Sequence, residues 1–424
     1  MRQFQLNGYV VAHDSDRIDG EIVVVNTCAF IGDAQEESIN QLLALEEAKK
    51  KGRIGRLFVM GCLSERFMKE LERELPFVDK FYGKFNRAEL IRDIGKSYYT
   101  ENASERILTT PAHYAYIKIS EGCNRTCAFC TIPLITGKHQ SRPMDDILSE
   151  VRQFVGKGVK EFQLIAQDLT YYGLDFHKNA FLPPSLLEKG RGRGGLPELV
   201  ERISDIQGVE WIRLHYAYPA HFPTDLLRVM RERDNVCNYL DIALQHISDS
   251  MLKRMRRNIT KEETYALIER IHREVPDIHL RTTLMVGYPG ETEQDFEELI
   301  RFIREMPFER LGAFAYSHEE GTYAHTHYTD DVPDEIKKER LDYLMRVQEK
   351  ISLAQNEQKA GKILRTIVDR EEDDYFIGRT EFDSPEVDHE VLISKEIQLM
   401  PGYFYEVKIN TAEAFELFGK ALIS

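Results

Sequence analysis

The run His113–Pro133, HYAYIKISEGCNRTCAFCTIP, sets an alternating apolar and β-branched segment directly before three cysteines spaced Cys123-x3-Cys127-x2-Cys130. A strand that hands thiols to the loop at its carboxyl end is the arrangement of an α/β protein whose chemistry sits at the strand ends. Phe129 precedes the last cysteine, and no fourth cysteine stands beside the three. Six cysteines in 424 residues are too few for a disulfide scaffold, so gathering half of them in eight residues points to metal. One reading is zinc, for which His139, nine residues past Cys130, is a candidate fourth ligand. The other is a four-iron cluster, which ordinarily takes four cysteines; three leave one iron open to a substrate or cofactor.

Outward from this run, strand and helix patterns alternate. HYAYIKIS, VKEFQLIAQD, EWIRLHYAY, YLDIALQHI, LRTTLMVGY and LGAFAYSHE are short apolar strand candidates. PMDDILSEVRQFVGKG, LPELVERISDI, TDLLRVMRERD, KEETYALIERIHREV and EQDFEELIRFIREM are the helices between them. Six such units predict a partial (β/α)6 barrel of the TIM type. Polar residues cluster at its strand ends: Gln167, Asp168, His215, Gln245, His246, Ser317 and His318. Asp168 is taken as the candidate catalytic group among them. FLPPSLLEKGRGRGG, from Phe181, reads as a surface loop with solvated arginines. Cys237, in DNVCNYL, is assigned to a barrel helix and read as a core thiol.

Before the barrel, EIVVVNTC and RLFVMGC read as strands buried on both faces, and both end in cysteine, Cys28 and Cys62. Helices are expected from Ala34 and from Ser64, with Ser64 as N-cap. The chain starts inside an apparent helix, RQFQLNGY, with no strand before it, so this α/β layer looks clipped at its front. After Arg340 a polar helix is expected to lead away from the barrel. KILRTIVD, YFIGRTEF, HEVLISK, YFYEVKIN and ELFGKALIS then predict a small antiparallel β-barrel. The expected fold class is therefore α/β multidomain, in three parts: 1–106, 109–345 and 348–424. No apolar run is long enough to span a bilayer, and the N-terminus lacks a secretory signal; a cytoplasmic protein with no membrane partner is expected. The formal charge of −15 suits a basic partner better than a phosphate backbone.

The triad with its aromatic residue, on a loop after the first barrel strand, resembles the radical S-adenosylmethionine enzymes. The resemblance implies that Cys123, Cys127 and Cys130 hold a 4Fe–4S cluster whose open iron chelates S-adenosylmethionine, yielding a 5′-deoxyadenosyl radical. VGYPGET, from Val286, resembles the glycine-rich strand end that contacts the cofactor there, giving Gly287 and Gly290.

The three-part order resembles the methylthiotransferases over essentially the whole chain. That resemblance implies a second 4Fe–4S cluster on three N-terminal cysteines. NTCAFI supplies Cys28 and MGCLSER supplies Cys62. The earliest cysteine of the family pattern is absent, so this second cluster is expected to lack a ligand. ITGKHQSRP stands where the family often has Arg-Gly. The terminal part resembles the TRAM domain, which recognises a macromolecular substrate in that family. LIAQDLTYYG, WIRLHYAYPAHF, YLDIALQHIS and GRTEFDSPEVD look like the branch that modifies a small-subunit ribosomal protein, protein S-twelve, at an aspartate β-carbon. Members acting on tRNA typically carry asparagine in the Asp168 region and a more basic terminal domain. From Gly361 to Ser424 there are seven Lys/Arg against fourteen Asp/Glu, so tRNA is not the expected partner. An electron donor such as flavodoxin or ferredoxin is implied. The rival readings are a tRNA methylthiotransferase and a non-catalytic, zinc-binding ribosomal adaptor.

Overall fold

The computed structural model describes residues 1–15, 18–29, 31–100, 105–177 and 195–422. Apart from Gly195, the expected loop from Phe181 lies outside the described residues. The chain divides into two compact units. One is Met1–Thr109 with Cys130–Gly137 and Glu319–Thr322; the other is Thr110–Phe129, Lys138–His318 and Tyr323–Ser424.

In the first unit the two expected strands, β1 (Gly20–Thr27) and β2 (Ile54–Gly61), pair in parallel, and β3 (Lys80–Tyr82) adds a third. No strand is expected there from the sequence. Val25, Leu57, Val59, Leu42, Leu71 and Ile135 form the core between sheet and helices. A short helix, Arg2–Leu6, opens the chain as expected. The helix expected from Ser64 begins at Cys62 instead, and Gly61, not Ser64, is its N-cap residue. Ser64 lies buried one turn in, its hydroxyl unpartnered within the protein.

In the second unit six parallel strands run in the order β4 (Tyr114–Lys118), β7 (Glu161–Ile165), β8 (Trp211–Ala217), β9 (Val236–Ile242), β10 (His279–Val286) and β11 (Arg310–Ala315). A two-residue ladder, β5 (Ser120–Glu121) with β6 (Gln140–Ser141), lies outside this sheet. Cys237 stands on β9, not on a helix, because the strand starts three residues earlier than the expected YLDIALQHI; it is buried as expected. The C-terminal strands β12 (Ile363–Glu371), β13 (Tyr375–Thr380), β14 (Glu390–Ser394), β15 (Phe404–Ala412) and β16 (Glu416–Ala421) close into a barrel. Its pairs are antiparallel except β14–β16, which is parallel, a departure from the expected all-antiparallel barrel.

The helix Asp334–Glu357 does not lead away from the sheet. Gln348 donates to the Phe308 carbonyl, and Ser352 and Asn356 donate to carbonyls of the 413–414 turn, so one polar face joins both barrels. The expected boundary near 345–348 falls inside this unbroken helix.

Six strands leave the amino end of the sheet open, and the segment 379–389 fills it. Contacts fall on the first residues of β4, β10 and β11 and on Tyr239 within β9. Tyr114 donates to Glu386 at 2.9 Å, Tyr239 to Asp388 at 2.7 Å, and Arg310 Nε to Asp383 at 2.9 Å. Phe382 stacks on His279 with centroids 3.8 Å apart. At the centre is Glu161, wholly buried. Its carboxylate accepts from Arg213 Nη2 at 3.0 Å, Arg379 Nη2 at 2.8 Å and Gln163 Nε2 at 2.6 Å. Arg379 also donates to Asp369 at 2.6 Å, and His113 Nε2 lies 2.8 Å from the same carboxylate.

Breaking a buried pair from one side strands a charge, so Arg379→Met is expected to destabilise the protein by about 3–5 kcal/mol in denaturant titrations. Despite the opposing cost of burial, Arg379 and the His113 bond hold the Asp369 carboxyl down at about 2. A lowered carboxylate pKa adds stability that is complete above the unfolded value and lost as pH falls through the folded one. Stability should therefore drop between about pH 4 and pH 2, by about 2 kcal/mol for this group, and Asp369→Asn should flatten that part of the profile.

Candidate functional site

The cysteine loop leaves β5 through Gly122, whose φ of +77° a side chain would strain. It is pinned on both sides: the Ala128 N–H donates to the Met255 carbonyl at 2.9 Å, and the Ala324 N–H donates to the Ala128 carbonyl at 2.7 Å. Around Ala128 pack Met251, Met255, Met285, Tyr288 and Tyr316, a dry wall under the loop. Cys123 and Cys127 are not in disulfides. Burial pushes the Cys123 thiol up to about 11, so its proton leaves only in exchange for a cation. Cys130 opens the segment Cys130–Gly137 of the first unit, whose Ile135 lies in that unit's core.

Polar groups surround the two thiols of the second unit. The Arg125 N–H donates to Cys123 Sγ at 3.4 Å, Arg257 Nη1 donates to Cys127 Sγ at 3.1 Å, and the Tyr218 hydroxyl lies 3.7 Å from the same sulfur. Asp168, buried at the end of β7, accepts from Arg125 Nε at 2.7 Å with one oxygen; with the other it accepts from the Thr170 N–H and hydroxyl. One oxygen thus holds Arg125, which sits between Cys123 and Cys127 in sequence, and the other holds Thr170. Arg125, Tyr218 and Arg257 escaped the sequence reading. The only signals were their places in CNRTC, in AYPAHF after β8 and in MRRN.

The residues fit a cluster better than a single ion. Tetrahedral zinc needs its ligands about 2.0–2.3 Å from one point. Among the described residues no three His, Cys, Asp or Glu side chains converge in that way. His139, the candidate zinc ligand, instead pairs through Nε2 with the Ser141 hydroxyl at 3.0 Å and packs on Tyr171. Cysteines that each bind a separate iron stand apart, and donors to their sulfurs are usual at such clusters.

The carboxyl rim also carries polar atoms with no hydrogen-bond partner among the described residues. They are the Ser120 hydroxyl, Gln167 Oε1, Gln245 Oε1 and His246 Nε2, all buried. Gln245 is held at a φ of +73°, strained for a residue with a side chain. Such a set suits a polar cofactor such as S-adenosylmethionine. His215 faces down the barrel instead, with Nε2 2.8 Å from Gln163 Oε1 and 3.5 Å from the Ser384 hydroxyl. His318 pairs with the Tyr316 hydroxyl at 2.9 Å. Gly287 and Gly290 lie at the turn after β10 with φ of +72° and +79°; their amides donate to Glu291 and Asp331. A Cβ on Gly287 would overlap the Lys337 side chain, and one on Gly290 would crowd Arg254.

In the first unit Thr27 pairs with Gly61, so Cys28 and Cys62 leave neighbouring strands at the same edge. Gly61 has a φ of +117°, and a Cβ there would sit 2.4 Å from the Thr27 carbonyl oxygen; only glycine lets the chain turn into the helix headed by Cys62. Glu319 organises this edge by accepting from the Gly32 N–H at 2.8 Å and from Arg66 at 3.2 Å; Arg66 also donates to the Ala29 carbonyl.

A partial parallel barrel with a three-cysteine loop after its first strand defines a radical S-adenosylmethionine protein. Residues 117–303 match the Radical SAM superfamily, 360–422 the TRAM domain, and 1–83 the uncharacterized protein family UPF0004. The ribosomal protein uS12 methylthiotransferase RimO of Parabacteroides distasonis is 69% identical over 422 residues, covering 100% of this chain and 94% of that one. Its counterparts from Porphyromonas gingivalis (62%; 99% and 94% covered) and Bacteroides thetaiotaomicron (60%; 100% and 94%) are similar over the same span. The chain belongs to the RimO family of radical S-adenosylmethionine methylthiotransferases. An iron–sulfur cluster and S-adenosylmethionine are the cofactors that go with this membership. Among solved structures, the radical S-adenosylmethionine methyltransferase TsrM from Kitasatospora setae, with cobalamin and a 4Fe–4S cluster bound, matches with a TM-score of 0.48 at 14% identity, over 71% of this chain and 64% of that one.

Groups that orient metal ligands typically change affinity about 10–100-fold when removed. Asp168→Ala frees Arg125 and should weaken iron retention by about tenfold in chelator competition. Asp168→Asn, which keeps an acceptor for Thr170, should lose less.

Proposed function

We propose that this chain adds a methylthio group to the β-carbon of an aspartate side chain in the small-subunit ribosomal protein uS12. The observation that carries the reading is the 69% identity, over the whole chain, to a protein named for that activity. In this reading Cys123, Cys127 and Cys130 hold a 4Fe–4S cluster, and Cys28 and Cys62 contribute to a second. When bound, the loop cluster and S-adenosylmethionine supply a radical able to take hydrogen from an unactivated carbon.

The protein's own residues bind, orient and shield. Asp168 acts as a positioning residue, holding Arg125 inside the cysteine loop, rather than as a catalytic one. The methionines and tyrosines packed around Ala128 exclude water from the loop's inner side. Gln167, Gln245 and His246 offer buried polar atoms to the cofactor, and Gly287 and Gly290 let the turn after β10 pack against Lys337 and Arg254. The exposed Asp373 and Asp374, at the β12–β13 turn, favour a basic protein partner over tRNA. The substrate is met in the cytoplasm, on the ribosome, with the electron coming from a donor of the flavodoxin or ferredoxin class.

The test is anaerobic reconstitution followed by incubation with S-adenosylmethionine, a reductant and either uS12 or tRNA. The expected outcome is the mass gain of a methylthio group on an aspartate of uS12 and none on tRNA. Cys123→Ala should abolish 5′-deoxyadenosine release; a modified tRNA with unmodified uS12 would refute the substrate assignment.

A further inference from the structure

Beside Cys127 two guanidinium groups sandwich one ring. Arg125 Cζ lies 4.1 Å from the Tyr218 centroid and Arg257 Cζ lies 4.2 Å from it. The tyrosine hydroxyl donates to the Arg257 carbonyl at 2.6 Å, which closes the stack on itself. Arg125 is tied to the Asp168 carboxylate. Arg257 directs Nη1 at Cys127 Sγ, 3.1 Å away, and Nη2 at the Ala243 carbonyl at the end of β9. It is buried, and its neighbours Arg256 and Asn258 both hold positive φ, +57° and +54°. Two strained residues around one buried arginine mark a side chain whose direction is held by the fold.

We propose that Arg257 sets the reduction potential of the cluster on the cysteine loop, Tyr218 serving to hold the guanidinium against the Cys127 sulfur. This rests on the reading that Cys123, Cys127 and Cys130 carry a four-iron cluster. Reduction adds one electron from the donor protein to the cluster, making its sulfurs more negative. A cationic N–H donor gains most from that added charge, so it stabilises the reduced form over the oxidised one. The charge lies in a buried site, where solvent screens it least.

The experiment is a potentiometric titration, followed by electron paramagnetic resonance, of the full chain carrying Cys28→Ala and Cys62→Ala, so that only the loop cluster reports. Arg257→Met, similar in length but uncharged, should make reduction about tenfold less favourable, the loss expected of one charged hydrogen bond. For a one-electron couple that is a midpoint about 59 mV more negative. Arg257→Lys should recover most of the shift. Tyr218→Phe, which loses the hydroxyl bond but keeps the ring, should move the midpoint in the same direction by less. A Met midpoint equal to the parent's at equal iron content overturns the proposal, and so does a Lys midpoint as low as that of Met, which would assign the effect to packing. If Met does not load iron, Arg257→Gln, a neutral N–H donor, carries the same test, with an unchanged midpoint again overturning the proposal. A parent that binds no iron on the loop removes the cluster reading itself, an outcome distinct from any midpoint result.

Discussion

The six-stranded parallel sheet does not close on itself, and the gap at its amino end is held shut around one buried carboxylate. Glu161 starts β7 with no solvent contact, between the guanidinium groups of Arg213 and Arg379. Alone, the desolvated charge would cost several kcal/mol; with N–H donors on both oxygens it becomes a fixed point. Arg379 comes from the C-terminal barrel and reaches on to Asp369, so barrel and terminal domain share one electrostatic centre. Glu161 and Arg379 stand 218 residues apart in sequence, which makes the terminal domain part of the catalytic scaffold rather than an appended module.

The carboxyl end is built by the opposite logic. There, among the described residues, buried polar atoms are left without hydrogen-bond partners, and strained backbone holds Gln245 and the residues flanking Arg257. Filling one end completely and leaving the other incomplete concentrates unsatisfied groups where a cofactor can satisfy them. Asp168 shows how the two demands meet: it follows a core strand, and one of its oxygens holds Arg125 of the cysteine loop while the other caps the turn at Thr170.

The acidic terminal domain also looks different in three dimensions. Several of the carboxylates counted there, Asp369, Asp383 and Asp388 among them, are paired with arginines inside the unit. Its formal charge therefore overstates the field it presents outward, and the exposed acidic turn after β12 is what a partner would meet. GRTEFDSPEVD, which in the sequence resembles a substrate-branch signature, supplies the segment that plugs the sheet.

Local sequence determined the elements and the thiol loop. Short apolar runs between helical patterns gave all six strands of the parallel sheet, and cysteine spacing gave the thiol triad, because both signals lie within a few residues. Local sequence misplaced the start of the Cys62 helix and put Cys237 on a helix. The first depends on Gly61 passing within contact of Thr27; the second depends on which neighbours extend β9. Only the tertiary structure decided that Asp168 holds Arg125, that Arg257 points at Cys127 and that the 379–389 segment seals the sheet. Each joins residues tens to hundreds of positions apart, and a buried charge reveals its meaning only through the partner that the fold brings to it.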